Sequence, residues 1–262
     1  MSIDGLKNGL KLKITKMFDV LITTAEKDYN KLRFVCNSIV RNIGNFHDVF
    51  IISPTSIPNN ERYKNAHYLT DHEVIDFDFS KINKAYRIGW YRQQFIKLFQ
   101  EVTVDNYLVV DSDVYINRKI DVNPENPSFY LGQDQLHKPY FEFNKKVFNL
   151  NRVYPHSFIS EIMLFKRELI RIMLSLLKFS DMNEFFNTCV NEINSINDPS
   201  SFSEYELYGN YITAYWPTIY HYQQLKVFYK AKLKKWRQDE IEALIRDNTS
   251  SKYDILTMHS WV

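Results

Sequence analysis

Apolar residues along the first half of the chain switch between strand-like and helix-like spacing. Residues 28–42 and 84–100 each place apolar side chains at the spacing of one helix face. Short apolar or β-branched runs, typical of buried strands, occur at 18–25, 47–54, 66–76 and 107–113. Strands that alternate with helices predict an α/β fold with a mostly parallel central sheet flanked by helices.

The second half predicts more helix than strand. SFISEIMLFKREL (157–169) is typical of a strand that runs into a helix. Helical spacing follows at 169–178, 182–193 and 203–217, and residues 221–245 predict a long amphipathic helix or a pair of helices. A short strand is expected within 253–261. Because no repeat or flexible linker is visible, we expect a single domain over 1–262, with halves at 17–115 and 116–262.

Composition excludes several classes of protein. A formal charge of +2 on 262 residues gives no strongly basic domain, so no nucleic-acid partner is expected. The two cysteines stand far apart, which indicates neither a disulfide framework nor a zinc ribbon. The N-terminal residues lack the apolar core of a signal peptide, and no run of about 20 apolar residues occurs. We therefore expect a cytoplasmic protein.

Two acids stand where a predicted buried strand ends, in YLVVDSDVYI (107–116). Asp111 and Asp113 are two residues apart, so in an extended chain both carboxylates point to one side. Ligands of open α/β sheets bind at the carboxyl ends of strands. A divalent ion such as Mn²⁺ or Mg²⁺ would offset the repulsion between the acids and hold a diphosphate. The alternative is a simple turn, since Asp and Ser are common where strands end.

The chain resembles glycosyltransferases of the GT-A fold. The resembling features are FDVLITTA as first strand, DSD at 111–113 in the D-x-D position, SEYE (203–206) as a possible acidic motif near the acceptor, and His259. The resemblance implies a nucleotide-sugar donor and a divalent metal. It also implies that Asp113 binds the metal, that Asp111 binds ribose or metal beside Ser112, and that His259 is a further ligand. Residues 116–262 would then form the acceptor side.

Further donor contacts are expected on the first strand and on the helix at 84–100. Thr23 and Thr24 end the strand, where a base or ribose would lie. Arg92 falls inside the apolar stripe of the helix, so it is expected to meet the D-x-D acids or the diphosphate, with Gln93 on the same edge. The same projection puts Lys97 on the solvent side. The alternative for Arg92 is a side chain that reaches solvent.

A base for the acceptor hydroxyl is sought among carboxylates near that side. Glu204 and Glu206 precede a predicted helix, and either one would project into an acceptor pocket. Helix capping from Ser203 is the alternative. Asp134 and Glu161 are reserve candidates.

A basic stripe is predicted within the amphipathic segment. Lys226, Lys230, Lys234 and Arg237 are spaced as neighbours on one helix face. Such a face can contact an anionic membrane, although an ordinary solvated face is the alternative.

Together these observations predict a metal-dependent glycosyltransferase. It would transfer a sugar to a hydroxyl of a glycan, glycolipid or glycoprotein. The alternative function is a non-catalytic nucleotide-sugar or glycan-binding module on the same fold.

Overall fold

The computed structural model describes residues 17–132, 136–196, 198–248 and 251–260. The helices are α1 (Leu32–Asn42), α2 (Asp71–Val74), α3 (Ile88–Phe99), α4 (Lys138–Phe148), α5 (Arg167–Leu176), α6 (Met182–Ser195), α7 (Glu204–Tyr215) and α8 (Gln238–Asn248). The strands are β1 (Phe18–Thr23), β2 (Phe46–Ser53), β3 (His67–Thr70), β4 (Asn106–Val110), β5 (Val114–Ile116), β6 (Ser128–Leu131), β7 (Ile162–Lys166), β8 (His221–Gln224), β9 (Val227–Phe228), β10 (Ala231–Lys232), β11 (Ile255–Thr257) and β12 (His259–Ser260).

The central sheet has the strand order β3-β2-β1-β4-β7. Its first four strands are parallel, and β7 runs antiparallel to β4 with Ile162 opposite Val110. The predicted mostly parallel sheet is therefore confirmed. Because β7 is antiparallel, it begins at the edge where β1 and β4 end. Residues just before β7 consequently lie beside residues just after β4.

Both faces of the central sheet are buried, which explains the continuous apolar runs in its strands. Along β4, Tyr107 and Val109 face an apolar layer that contains α3, α6 and α7. Leu108 and Val110 face the opposite layer, formed by α1 and the strands near the C-terminal end of the described chain. Alternate residues of one strand thus serve two separate cores.

The prediction of a long helix or helix pair over 221–245 is wrong for most of that segment. Three short strands come first, and only α8, from Gln238, is helical. β8 pairs with β6, β9 pairs with β11, and β10 pairs with β12. The four-residue spacing of the lysines therefore does not form a helical stripe. The segment is extended because its hydrogen-bond partners come from strands far away in sequence.

No helix in the described residues is long and apolar enough to cross a bilayer.

Two helical glycines offer a matched test of packing. A Cβ on Gly209 in α7 would lie 2.2 Å from the ring carbon Cγ of Phe158, whereas a Cβ on Gly89 in α3 meets nothing within 4 Å. Phe158 is buried against Phe129, so its ring cannot easily retreat. We expect Gly209→Ala to lower the free energy of unfolding by about 1–3 kcal/mol. Gly89→Ala should raise it by up to about 1 kcal/mol through helix propensity.

Urea unfolding followed by circular dichroism measures both glycine variants. Equal effects at the two positions would contradict the close approach of α7 to Phe158.

Candidate active site

A cavity of about 860 Å³ opens at the carboxyl edge of the central sheet. Thr23 reaches it from the end of β1, and Asp111, Ser112 and Asp113 reach it from the turn after β4. Glu161, the residue directly before β7, also lines the cavity. The antiparallel direction of β7 is what places this residue beside the D-x-D acids.

His259 lies against Asp113 in the cavity. Its Nδ1 is 2.9 Å from Asp113 Oδ2. Burial opposes a charge on the imidazole, but the hydrogen bond and ion pair with Asp113 outweigh it and raise the pKa of His259 to about 9. Burial likewise opposes ionisation of Asp113, and the bond from His259 lowers the pKa of this carboxyl below its ordinary value. The two side chains therefore form an ion pair in the metal-free protein.

The segment that carries His259 is held at both ends. β11 pairs antiparallel with β5, with Leu256 opposite Tyr115, and Met258 N donates to Asp113 O at 2.7 Å. On the other side, the buried Lys31 Nζ donates to Met258 O at 2.5 Å and to Ser260 Oγ at 3.0 Å. These bonds fix the backbone on each side of His259. The ring is therefore positioned by main-chain contacts as well as by its own bond.

Asp111 is held by a buried lysine on α3. Lys97 is 3% exposed, and its Nζ lies 2.7 Å from Asp111 Oδ1 and 2.9 Å from Glu204 Oε1. Tyr205 Oη also donates to Asp111 Oδ1, at 3.3 Å. Burial works against the charge on Lys97, but its two carboxylate neighbours raise the pKa of this amine above its ordinary value. Both contacts engage Oδ1, so the carboxylate of Asp111 is oriented by two groups on α3 and α7.

Glu161 is a buried acid in a strained backbone conformation. Its φ is 68°, and its carbonyl oxygen accepts from Asp111 N at 3.0 Å. A non-glycine residue in this left-handed region costs about 1 kcal/mol or more. The residue is 4% exposed, with Oε1 3.9 Å from His259 Nε2. Burial, and then the charge of Asp111, raise the pKa of Glu161 to about 8.

The donor set around the D-x-D acids suits a hard divalent cation. Two aspartates, a buried glutamate and one imidazole converge, and oxygen ligands with a single histidine suit Mn²⁺ or Mg²⁺ better than a soft metal. Burial raises the pKa of Glu161 most, and the charges of Asp111 and Asp113 raise it further; a cation would offset that negative charge. The residues therefore fit the metal that the sequence analysis expects.

A second group of possible ligands lies at the opposite end of β1. Asp19, His47 and Asp48 have ligand atoms within 4.8 Å of one another. Asp19 already accepts backbone bonds from Asp48 N and Val104 N, at 3.1 and 2.7 Å. This carboxylate therefore ties β1 to its neighbouring segments, and the group provides a useful control for metal experiments.

The other predicted donor contacts divide into two sets. Thr23, Gln93 and Ser112 line the cavity. Thr24 is buried beside it and is not part of the lining. The expectation that Arg92 points to the D-x-D acids is wrong. Its Nη1 lies 3.2 Å from Asp71 Oδ2, because this nearer anion in α2 faces the same edge of α3.

The expected solvent exposure of Lys97 is also wrong. A helical projection assumes one buried face and one solvated face. α3 instead lies between β1 and α7, so both of its sides are buried. The side of α3 that carries Lys97, which the projection assigns to solvent, therefore faces the cavity acids.

The structure places Glu204 and Glu206 behind the cavity wall. Both carboxylates are fully buried and neither lines the cavity. Ser203 Oγ accepts from Glu206 N at 3.4 Å, which is the capping contact that the sequence left open. Their role as bases stays a prediction with no contact to support it. Asp134 lies outside the described residues.

Sequence reasoning missed several residues of the cavity. The side chains that it passed over are Lys27, Asp28, Arg87, Trp90, Lys97, Tyr140, Tyr205 and Tyr229. Glu161, a reserve base in that reasoning, joins them. Its usable signal was an acid directly before the buried run IMLF, the counterpart of the acid directly after YLVV.

Comparisons with known proteins agree on the fold. The sequence model of a family described as "Family of unknown function (DUF6492)" matches residues 17–261. A search of curated proteins gives no match. An active-site mutant of LgtC shares 11% identity over 92% of this chain and 87% of that chain, with a TM-score of 0.50. At this identity the likeness concerns the fold, and it confirms the predicted GT-A-like α/β arrangement.

Two further structures are more distant. The galactosyltransferase LgtC in complex with donor and acceptor sugar analogues has a TM-score of 0.48 at 11% identity, over 92% of this chain and 87% of that chain. Apo mouse xyloside xylosyltransferase 1 has a TM-score of 0.44 at 10% identity, over 92% and 97%.

The buried lysine on α3 generates one prediction. Lys97→Met leaves the fully buried Glu204 and the partly exposed Asp111 without their shared cation, so the free energy of unfolding should fall by about 3–5 kcal/mol, mostly through Glu204. Adding Glu204→Gln should recover at least about 1 kcal/mol, because one of the stranded charges is then removed. Arg92→Met on the same helix breaks a pair whose arginine is partly exposed and whose anion is a single buried aspartate, so it should cost less than Lys97→Met. Chemical denaturation checks all three, and additive losses in the double variant would refute the shared-cation arrangement.

Glu206 generates a pH-dependent prediction. Burial raises the pKa of this carboxyl to about 7, although Ser157, Phe158 N and Asn210 all donate to it. An acid whose folded pKa is raised binds its proton more tightly when folded, so its contribution to stability is lost as pH rises from about 4.5 to 7. Glu206→Gln should therefore be near neutral at pH 4.5. At pH 8 it should be more stable than wild type by on the order of 2 kcal/mol.

Urea titrations at those two pH values measure the difference for Glu206→Gln. A variant with the same pH profile as wild type would contradict the raised pKa.

Proposed function

The chain belongs to the DUF6492 family, and from its cavity we propose that it is a glycosyltransferase that moves a sugar from a nucleotide-diphosphate-sugar donor to a hydroxyl acceptor. One observation carries the proposal. Asp111, Asp113 and His259 converge in one cavity at the carboxyl edge of a mostly parallel sheet. LgtC, whose fold this chain shares, is described as a galactosyltransferase, which agrees with the proposal.

The cavity suits a donor in size and in its polar groups. Its volume of about 860 Å³ lies within the range of small-molecule sites. The buried hydroxyl of Thr23 lines it and has no hydrogen-bond partner among the described residues. A donor ribose or base would satisfy that hydroxyl. Gln93 and Ser112 offer further polar contacts on the same lining.

Asp113 and His259 would hold a Mn²⁺ or Mg²⁺ ion, and Asp111 would bind the ribose or the metal. When bound, the metal supplies positive charge that stabilises the departing nucleoside diphosphate. Lys97 keeps Asp111 oriented through Oδ1. His259 must give up its proton to bind a metal, so metal binding competes with its ion pair to Asp113.

The acceptor would enter past an aromatic wall. Trp90 and Tyr140 line the cavity with their rings stacked, 6.0 Å between centroids and 16° between planes. Flat aromatic faces with polar tips suit the mixed apolar and hydroxyl surface of a sugar. We propose that the acceptor is a hydroxyl of a glycan, glycolipid or glycoprotein.

A non-catalytic nucleotide-sugar or glycan-binding module on the same fold would bind the donor without consuming it. No contact among the described residues favours this alternative.

A panel of nucleotide sugars with and without Mn²⁺ tests the proposal by thermal shift. One donor together with Mn²⁺ should raise the Tm of the wild type by about 5 °C or more near 100 times its Kd. Asp113→Ala should abolish this shift while keeping the far-UV circular dichroism. The matched control is Asp48→Ala, which removes an acid from the second ligand group and should keep the shift.

Two outcomes would count against the proposal. A full shift in Asp113→Ala would overturn the D-x-D assignment. A donor that binds with Mn²⁺ but gives no sugar transfer to any acceptor in a chromatographic assay would favour the binding module.

A further inference from the structure

The segment that the sequence presents as a basic stripe forms part of the cavity rim. Tyr229 and Ala231 line the cavity, and Ala231 lies opposite His259 in the β10–β12 pair. The chain then turns outward at Leu233. We call residues 230–235, KAKLKK, the rim loop.

Leu233 is the most exposed of the large apolar side chains that the structure describes, at 86%. A single exposed leucine is ordinary on a protein surface. This one is flanked on both sides by lysines, in a loop that adjoins the cavity. An exposed apolar side chain with lysines on both sides in sequence is what distinguishes Leu233.

The charge of the rim loop is mostly unbalanced. Lys230, Lys234 and Lys235 are exposed, and none of them forms an ion pair with a described residue. Lys232 is balanced by Glu240, with 2.6 Å between Nζ and Oε1. Three lysines close to Leu233 in sequence therefore carry charge that no described residue balances.

We propose that the rim loop docks on an anionic lipid bilayer, with Leu233 inserted at the acyl boundary and its three free lysines among the headgroups. A bilayer surface uses both features at once, because it takes up the apolar side chain and attracts the ammonium groups. An acidic protein or a free phosphate would satisfy the lysines alone and leave Leu233 in water.

Docking also orients the cavity. The loop continues directly from Ala231 in the lining, so a docked molecule holds the cavity mouth beside the membrane surface. The acceptor that reaches such a mouth is one anchored in the same bilayer. The acceptor class is therefore a lipid-linked glycan or glycolipid, and this second step rests on the proposed function.

Co-sedimentation of the full chain with vesicles tests the surface. The wild type should bind vesicles of phosphatidylglycerol and phosphatidylcholine, and should bind weakly to phosphatidylcholine alone. Binding should weaken as NaCl rises from about 0.1 to 0.5 M, because salt screens the headgroup attraction. Lys234→Glu with Lys235→Glu should lower the partition coefficient by about 30-fold or more, and Leu233→Ala by about 5- to 10-fold.

Matched controls come from elsewhere on the chain. Lys64→Glu with Lys84→Glu makes the same change of charge at exposed positions, and Met182→Ala truncates another exposed apolar residue. Both should bind anionic vesicles like the wild type. Equal losses in the controls and in the rim-loop variants would overturn the proposal, as would wild-type protein that ignores anionic vesicles. If the charge-reversal variant loses vesicle binding but Leu233→Ala does not, the loop is only attracted to anions and Leu233 does not insert. That result would also overturn the proposal.

Donor binding separates this proposal from the proposed function. All rim-loop variants should keep the Mn²⁺-dependent thermal shift in the absence of vesicles. If the wild type binds vesicles but shows no donor shift, the surface stands and the glycosyltransferase proposal falls. If the donor shift is present but transfer to a lipid-linked acceptor is no faster than to the matching free sugar, the acceptor class is refuted.

Discussion

Negative charge at the end of β4 is the constraint around which the cavity is arranged. Asp111, Asp113 and Glu161 lie side by side in a poorly solvated space, where unbalanced carboxylates are costly. The balance comes from cations on separate segments. Lys97 arrives from α3 and His259 from β12. α3 and β12 are thus held to the sheet edge by the same charges that shape the site.

The parts of the fold that the sequence predicts well are those set by local pattern. β1 and α3 lie within their predicted ranges, and β2 and β4 each begin one residue before theirs, because the side-chain pattern of a buried strand or a long helix is local to the segment. The segment 221–245 fails for the opposite reason. Its strands are two to four residues long and are stabilised by partners such as β6 and β11, which no local spacing reveals.

Predictions of the site residues divide in the same way, between local patterns and long-range contacts. The positions of Asp111 and Asp113 at a strand end follow from sequence, whereas the approach of His259 rests on a family resemblance and is seen only once β11 pairs with β5. The place of Lys97 in the site could not be predicted, because projection onto a helix cannot show that both sides of α3 are covered. The place of Glu161 could not be predicted either, because it depends on the antiparallel direction of β7. An apolar run such as IMLF does not indicate in which direction a strand pairs.

The pairing of His259 with Asp113 also affects the order in which the cavity forms during synthesis. The two residues are 146 positions apart. At ribosomal rates of roughly 5–20 residues per second, the D-x-D turn is made about 7 to 30 s before its histidine. During that interval β4 can pair with β1 and β7 while the cavity still lacks one wall, and the acids meet water in place of the imidazole. The cavity is therefore completed only after His259 has been made, so shorter nascent chains carry the acidic turn without the groove that would let them hold a donor.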